Sequence, residues 1–156
     1  MTTEKSKIAI STMMLSKSLL FIVLTITCSE TTNGQSHPDG VTFFQGTLKE
    51  AFARAKAEQK FVFFDAFATW CGPCKNMEKN VFTDPALGEF YNKYFVSIRI
   101  DMEKGEGPEL AKYYTSIDGY PSMLFLDNQG HVIKTLLGSR SIEDMIGEAR
   151  LVVHAK

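Results

Sequence analysis

An α/β domain, its central sheet covered by helices on both faces, is the fold class that the sequence predicts from three observations. The run Phe61-Val62-Phe63-Phe64-Asp65-Ala66-Phe67 carries apolar residues on both alternating faces, as a central strand buried from two sides does. A second run, Phe95-Val96-Ser97-Ile98-Arg99-Ile100-Asp101, has the branched residues and alternation of another core strand. The segments between and around these runs place apolar residues at helical spacing. With 156 residues, 44% of them hydrophobic, the chain has room for one domain around one core.

The first 34 residues differ from the rest. Lys5, Lys7 and Lys17 precede a nine-residue apolar run, Leu19 to Thr27, and a polar, small-residue stretch follows. A run this short is the core of a signal peptide, because a helix that spans a bilayer needs about 20 apolar residues. The protein is therefore expected to be exported, with residues 1–34 removed behind Thr32-Asn33-Gly34 and a soluble domain over residues 35–156. A retained anchor, or a start at Met13 or Met14, would leave the destination unchanged. Cys28, directly after the apolar run, resembles the lipidated cysteine of a bacterial lipoprotein, although Thr27 is a poor residue before one. Membrane attachment is expected only if Cys28 is lipidated.

Within the domain, Pro38-Asp39-Gly40 is a turn signal and Val41-Thr42-Phe43-Phe44 a short extended lead-in. Thr47-Leu48-Lys49-Glu50 is a capping-box pattern, and Leu48, Ala51, Phe52 and Ala55 continue it as a helix ending near Gln59. After the first strand a helical pattern runs from Lys75 to Phe82. Asp84-Pro85, an N-cap and a proline at the first helical position, restarts a helix through Tyr91. The loop from Met102 to Pro108 leads to a short helix, Glu109 to Tyr114. Then come the strand Met123 to Leu126, the hairpin turn Asp127-Asn128-Gln129-Gly130 and a strand from His131 to Leu137. Ser141-Ile142-Glu143-Asp144 opens a last helix with Ile142, Met145, Ile146 and Ala149 on one face.

Between the first strand and its following helix stands Trp70-Cys71-Gly72-Pro73-Cys74. Two intervening residues let both sulfurs occupy the first helical turn, close enough to form a disulfide with little backbone movement. A helix N-terminus offers unsatisfied N–H groups and the positive end of the dipole, so Cys71 is expected to be the acidic thiol. Pro73 suits the first turn, where no amide hydrogen is needed. The alternative, half of a structural zinc site, needs two more ligands. Cys28, His37, His131 and His154 supply no second paired spacing, so no metal is expected.

The full Trp-Cys-Gly-Pro-Cys string, behind a strand and with Asp65 six residues ahead of Cys71, resembles the active site of the thioredoxin family. Met77-Glu78, Val81-Phe82 and Asp84-Pro85 resemble one branch of it, which includes the C-terminal periplasmic domain of the membrane thiol:disulfide interchange reductases. The resemblance implies a thioredoxin fold, a mixed sheet flanked by helices, from about Val41 to His154. It implies that Asp65 is a buried acid beneath the disulfide that takes the proton of Cys74. It implies also that Pro121 is cis and faces the cysteines, leaving the backbone of Tyr120 free to pair with an extended client segment. Trp70 and Pro121 would shape the docking surface, and Gly138 matches a glycine that lies against the site. The chain departs from thioredoxin at Ser97, which stands where the family has a lysine close to the aspartate. Desolvation of Asp65 is therefore expected to be less compensated here.

A formal net charge of -1, with no basic patch interleaved with aromatics, excludes nucleic acid as the expected partner. Three cysteines are too few for a disulfide scaffold. His131 and His154 read as surface residues. The leading expectation is a periplasmic thiol:disulfide oxidoreductase, a monomer, that reduces disulfide-containing client proteins through Cys71 and Cys74 and is recycled by a membrane electron donor. It would need no cofactor beyond that redox-active pair. Gly72-Pro73 resembles the reducing thioredoxins. An oxidase or isomerase role, service in cytochrome c maturation, and a non-catalytic Cu(I) carrier using both thiolates are the alternatives.

Overall fold

The structure, a computed structural model, describes residues 39–155. The leader, its cleavage site, Cys28 and His37 lie outside the described residues. The elements follow the order α1 (Leu48–Glu58), β1 (Phe61–Phe67), α2 (Gly72–Asn80), α3 (Pro85–Tyr94), β2 (Phe95–Asp101), α4 (Gly107–Tyr113), β3 (Ser122–Leu126), β4 (Val132–Leu137) and α5 (Ile142–His154). The four strands form one mixed sheet in the order β2-β1-β3-β4. β1 pairs with β2 in parallel and with β3 antiparallel, and β3 pairs antiparallel with β4.

Local chemistry accounts for the boundaries. The Thr47 hydroxyl accepts from the Glu50 amide while the Glu50 carboxylate accepts from the Thr47 amide, so the capping box that opens α1 is complete. Gln59, with φ 55°, ends it in the left-handed region. Asp84 accepts from the amide of Leu87, and Ser141 from that of Asp144, at the starts of α3 and α5. The lead-in forms a single parallel bridge, Phe43 to Ser97, and Phe43 and Phe44 pack partly buried against the two cores. Among the described residues no helix is long and apolar enough to cross a membrane.

The alternation of β1 divides the interior. Val62, Phe64 and Ala66 join Leu48, Ala51 and Ala55 of α1 on one face of the sheet. Phe63 joins Met77 of α2, Leu87 and Tyr91 of α3 and Met145 of α5 on the other. Asp65 shares the parity of Phe63, so the sheet presents a carboxylate to the same face as the helix that follows the cysteines.

That helical layer is closely fitted. A Cβ on Gly88 of α3 would stand 2.2 Å from the carbonyl oxygen of Gly40. Alanine ordinarily favours a helix over glycine, yet here it overpacks backbone against backbone. Gly88→Ala is expected to destabilise the protein by about 1–3 kcal/mol in urea titration.

Candidate active site

Strand β1 ends at Phe67, and the chain turns through Ala68 to Trp70 before α2 begins. The turn is closed by the Cys71 amide donating to the Ala68 carbonyl at 3.0 Å. Cys71 is the N-cap of α2, and its Sγ accepts the backbone N–H of Cys74 at 3.1 Å. The sulfur thus does what a serine or aspartate oxygen does at other helix starts, and the same donor and dipole favour a thiolate at Cys71 over one at Cys74. Cys71 and Cys74 form a disulfide with an S–S distance of 2.02 Å. Gly72 and Pro73 lie at the exposed tip of the turn, with Pro73 in the first turn of α2.

Of the predicted site residues, Tyr120 packs against the pair and Trp70 packs against Tyr120. The Tyr120-Pro121 bond is cis, and Tyr120 packs against the cluster of Ala68, Cys71 and Cys74. Neither backbone group of Tyr120 takes part in a hydrogen bond among the described residues. The amide of Gly138 donates to the carbonyl of Pro121 at 2.8 Å, and its φ of 82° explains the glycine. Trp70 is 65% exposed, unusual for so large a ring. It meets Tyr120 edge to face at 6.0 Å, and its indole N–H donates to Glu103 at 2.8 Å. Burial pushes the Tyr120 phenol up, with Glu103 and Asp101 adding to the shift, so acidic groups stand close to this aromatic rim.

Asp65 is 1% exposed. Burial raises its carboxyl from the ordinary value to about 6, against the attraction and hydrogen bond of Arg99, with Glu78 adding a small push upward. Here the structure corrects an expectation. Ser97 pairs with Phe63 and brings no charge, but the acid is not left uncompensated. Arg99, two residues further along the same face of β2, pairs with Asp65 across the parallel strands. Its Nε donates to Oδ2 at 2.6 Å. The arginine thus supplies the positive charge that position 97 lacks. Asp65 Oδ1 has no hydrogen-bond partner among the described residues.

The sequence assigns no site role to Arg99 or Glu103, and Glu78 enters there only in the branch-like Met77-Glu78 pair. Arg99 had a signal, since residues 97 and 99 share a face of one strand. The contacts of Glu78 and Glu103 had none, because they depend on how a helix and a loop are placed. His131 lies at the β3–β4 turn, paired with Asp127 and mostly exposed. His154 is the last residue of α5 and is exposed.

A family model described as "Thioredox_DsbH: Protein of unknown function, DUF255" matches residues 35–144. A thiol:disulfide interchange protein DsbD of Pseudoalteromonas atlantica is 32% identical over 124 residues, which are 78% of this chain and 20% of that protein. The chain thus spans about a fifth of the length of this larger relative. The solution structure of a proposed disulphide-isomerase from Bacteroides thetaiotaomicron is 40% identical, covers 76% of this chain and 97% of its own, and superposes with a TM-score of 0.66. The reduced C-terminal domain of DsbD from Neisseria meningitidis is 27% identical over 66% of this chain and 91% of its own, with a TM-score of 0.55. On its fold, its cysteine motif and the family match, the chain belongs to the Thioredox_DsbH (DUF255) family and is a thioredoxin-like protein resembling DsbD.

Proposed function

We propose that this thiol–disulfide oxidoreductase works as a reductant of client disulfides in the bacterial periplasm. The observation that carries the reading is the Cys71–Cys74 disulfide at the start of α2, with Cys71 as the N-cap that accepts an amide, above a sheet that holds Asp65. In the reduced protein the Cys71 thiolate attacks one sulfur of a client disulfide. A mixed disulfide forms and one client thiolate leaves. Cys74 then gives its proton to Asp65 and attacks Cys71 Sγ. The second client thiolate leaves, the client has gained two electrons, and the Cys71–Cys74 pair is oxidised.

Trp70, Tyr120 and Pro121 form the surface on which an extended client segment docks, pairing with the free backbone of Tyr120. The pair itself is the redox centre, and the protein requires neither metal nor nucleotide. Export follows from the leader's charge and short apolar run. The bacterial periplasm is kept oxidising, so the pair must be re-reduced by a membrane electron donor, as its likeness to DsbD supports.

An isomerase role is the second reading, favoured by the designation of the Bacteroides relative. The reduction potential of the purified protein, equilibrated with glutathione or dithiothreitol, separates them. A reductant should lie near the thioredoxin level, about -270 mV, and an isomerase near about -180 mV. A value near about -120 mV would make the protein an oxidant and reverse the proposed direction.

A further inference from the structure

We propose that Arg99 is the positioning residue of the proton step: it holds Asp65 by Oδ2, so that Oδ1 takes the proton, while Glu78 keeps the guanidinium balanced whether Asp65 is charged or neutral. This inference rests on the reading of Asp65 as the acceptor of the Cys74 proton, and adds what orients and tunes it.

The geometry is unusually complete. Arg99 Nε lies 2.6 Å from Asp65 Oδ2 and Nη1 3.2 Å from Glu78 Oε2, so one guanidinium joins β1 to α2. Its Cζ stands 4.5 Å from the ring centre of Phe67 and 5.6 Å from those of Phe43 and Phe82. Three ring faces and two carboxylates leave the cation few other positions. Cys74 and Glu78 are one turn apart on the same side of α2. Since Glu78 reaches Arg99 and Arg99 reaches Asp65, that side of the helix is turned toward the acid.

Oδ2 is occupied by a donor that cannot give up its proton, because a guanidinium stays charged at any working pH. Oδ1, buried and without a protein partner, is the atom left to receive one. Moving a proton from Cys74 to Oδ1 leaves a thiolate on sulfur and a neutral carboxyl, and nothing is transferred to arginine. After that step Glu78, whose side chain is 59% exposed, still balances the cation. The charged groups acting on Asp65 are Arg99 from β2 and Glu78 from α2; β3 sets the apolar Met123 opposite it.

The test exploits opposite signs. Following the Asp65 carboxyl by carbon NMR in the oxidised protein, Arg99→Gln should move its titration midpoint up by about one pH unit or more. Glu78→Gln should move it down by a smaller step, and Arg99→Lys should restore part of the loss. The pH profile for resolution of a mixed disulfide should shift in the same senses. Glu78 is on the surface, so its variant remains informative if Arg99→Gln does not fold. Midpoints that stay fixed or move in the same direction in both Gln variants would overturn the proposal. So would midpoints that move while the resolution profiles do not. A wild-type protein that reduces no disulfide at any pH would instead sink the reductant reading, and the NMR midpoints would still judge the Arg99–Asp65–Glu78 arrangement.

Discussion

Serine at Cys71 should abolish reduction of a protein disulfide, while serine at Cys74 should leave the first attack intact and stop the second. The asymmetry follows from the placement of the two sulfurs. Cys71 is the N-cap, its sulfur accepting an amide hydrogen at the positive end of α2, whereas Cys74 lies inside the helix. In Cys71→Ser the turnover of a reporter disulfide should fall by ~10³-fold or more, a barrier increase above about 4 kcal/mol. Cys74→Ser should accumulate a covalent client adduct through Cys71, visible on a non-reducing gel and released by dithiothreitol. If adducts form in Cys71→Ser but not in Cys74→Ser, the roles of the sulfurs are reversed.

Asparagine at Asp65 should make the protein more stable and less active at once. The carboxyl titrates near 6 in the fold against an ordinary value of 3.8, so between these limits the native state holds more protons than the unfolded chain. The sign follows: the contribution of this group is fully favourable below about pH 4 and is lost as pH rises through 6. A shift of this size corresponds to about 3 kcal/mol at neutral pH. Asp65→Asn removes the charge but also weakens the pairing with Arg99, so a gain of about 1–3 kcal/mol is expected at pH 8, vanishing toward pH 4. Urea titrations of both proteins at the two pH values measure it, and an Asn variant less stable at pH 8 would contradict the assignment. On the proposed role of Asp65 as proton acceptor, resolution of the mixed disulfide should slow by about 10²–10⁴-fold.

The sequence was most informative where a short-range rule decides the outcome. The capping box at Thr47, the Asp84-Pro85 start and the two-sided run at Phe61 each state a local preference that the packed structure keeps. The site was legible for a different reason, because Cys71, Cys74, Trp70 and Pro73 are neighbours in the chain. Pro121 and Asp65 came from family resemblance, and the fold brings Pro121 to the active-site face through β3. What could not be read was charge compensation across strands. Ser97 matched the expected position of a cation, yet register in a parallel pair sets Arg99, not Ser97, beside Asp65. One-dimensional correspondence cannot fix which of two same-face residues meets a partner strand at a given rung.

Phe43 is easily passed over as part of a loose lead-in with one bridge to the sheet. Its ring is nevertheless one wall around the Arg99 guanidinium, and it meets the neighbouring wall, Phe82, edge to face at 5.2 Å. The unit that keeps this cage closed therefore begins before the first helix. A truncation that starts at α1 would keep every regular element and both cysteines, yet it would open the cation's cage to water on one side. For expression or grafting of this domain, the boundary to respect is set by an aromatic ring at residue 43 and not by the first turn of helix.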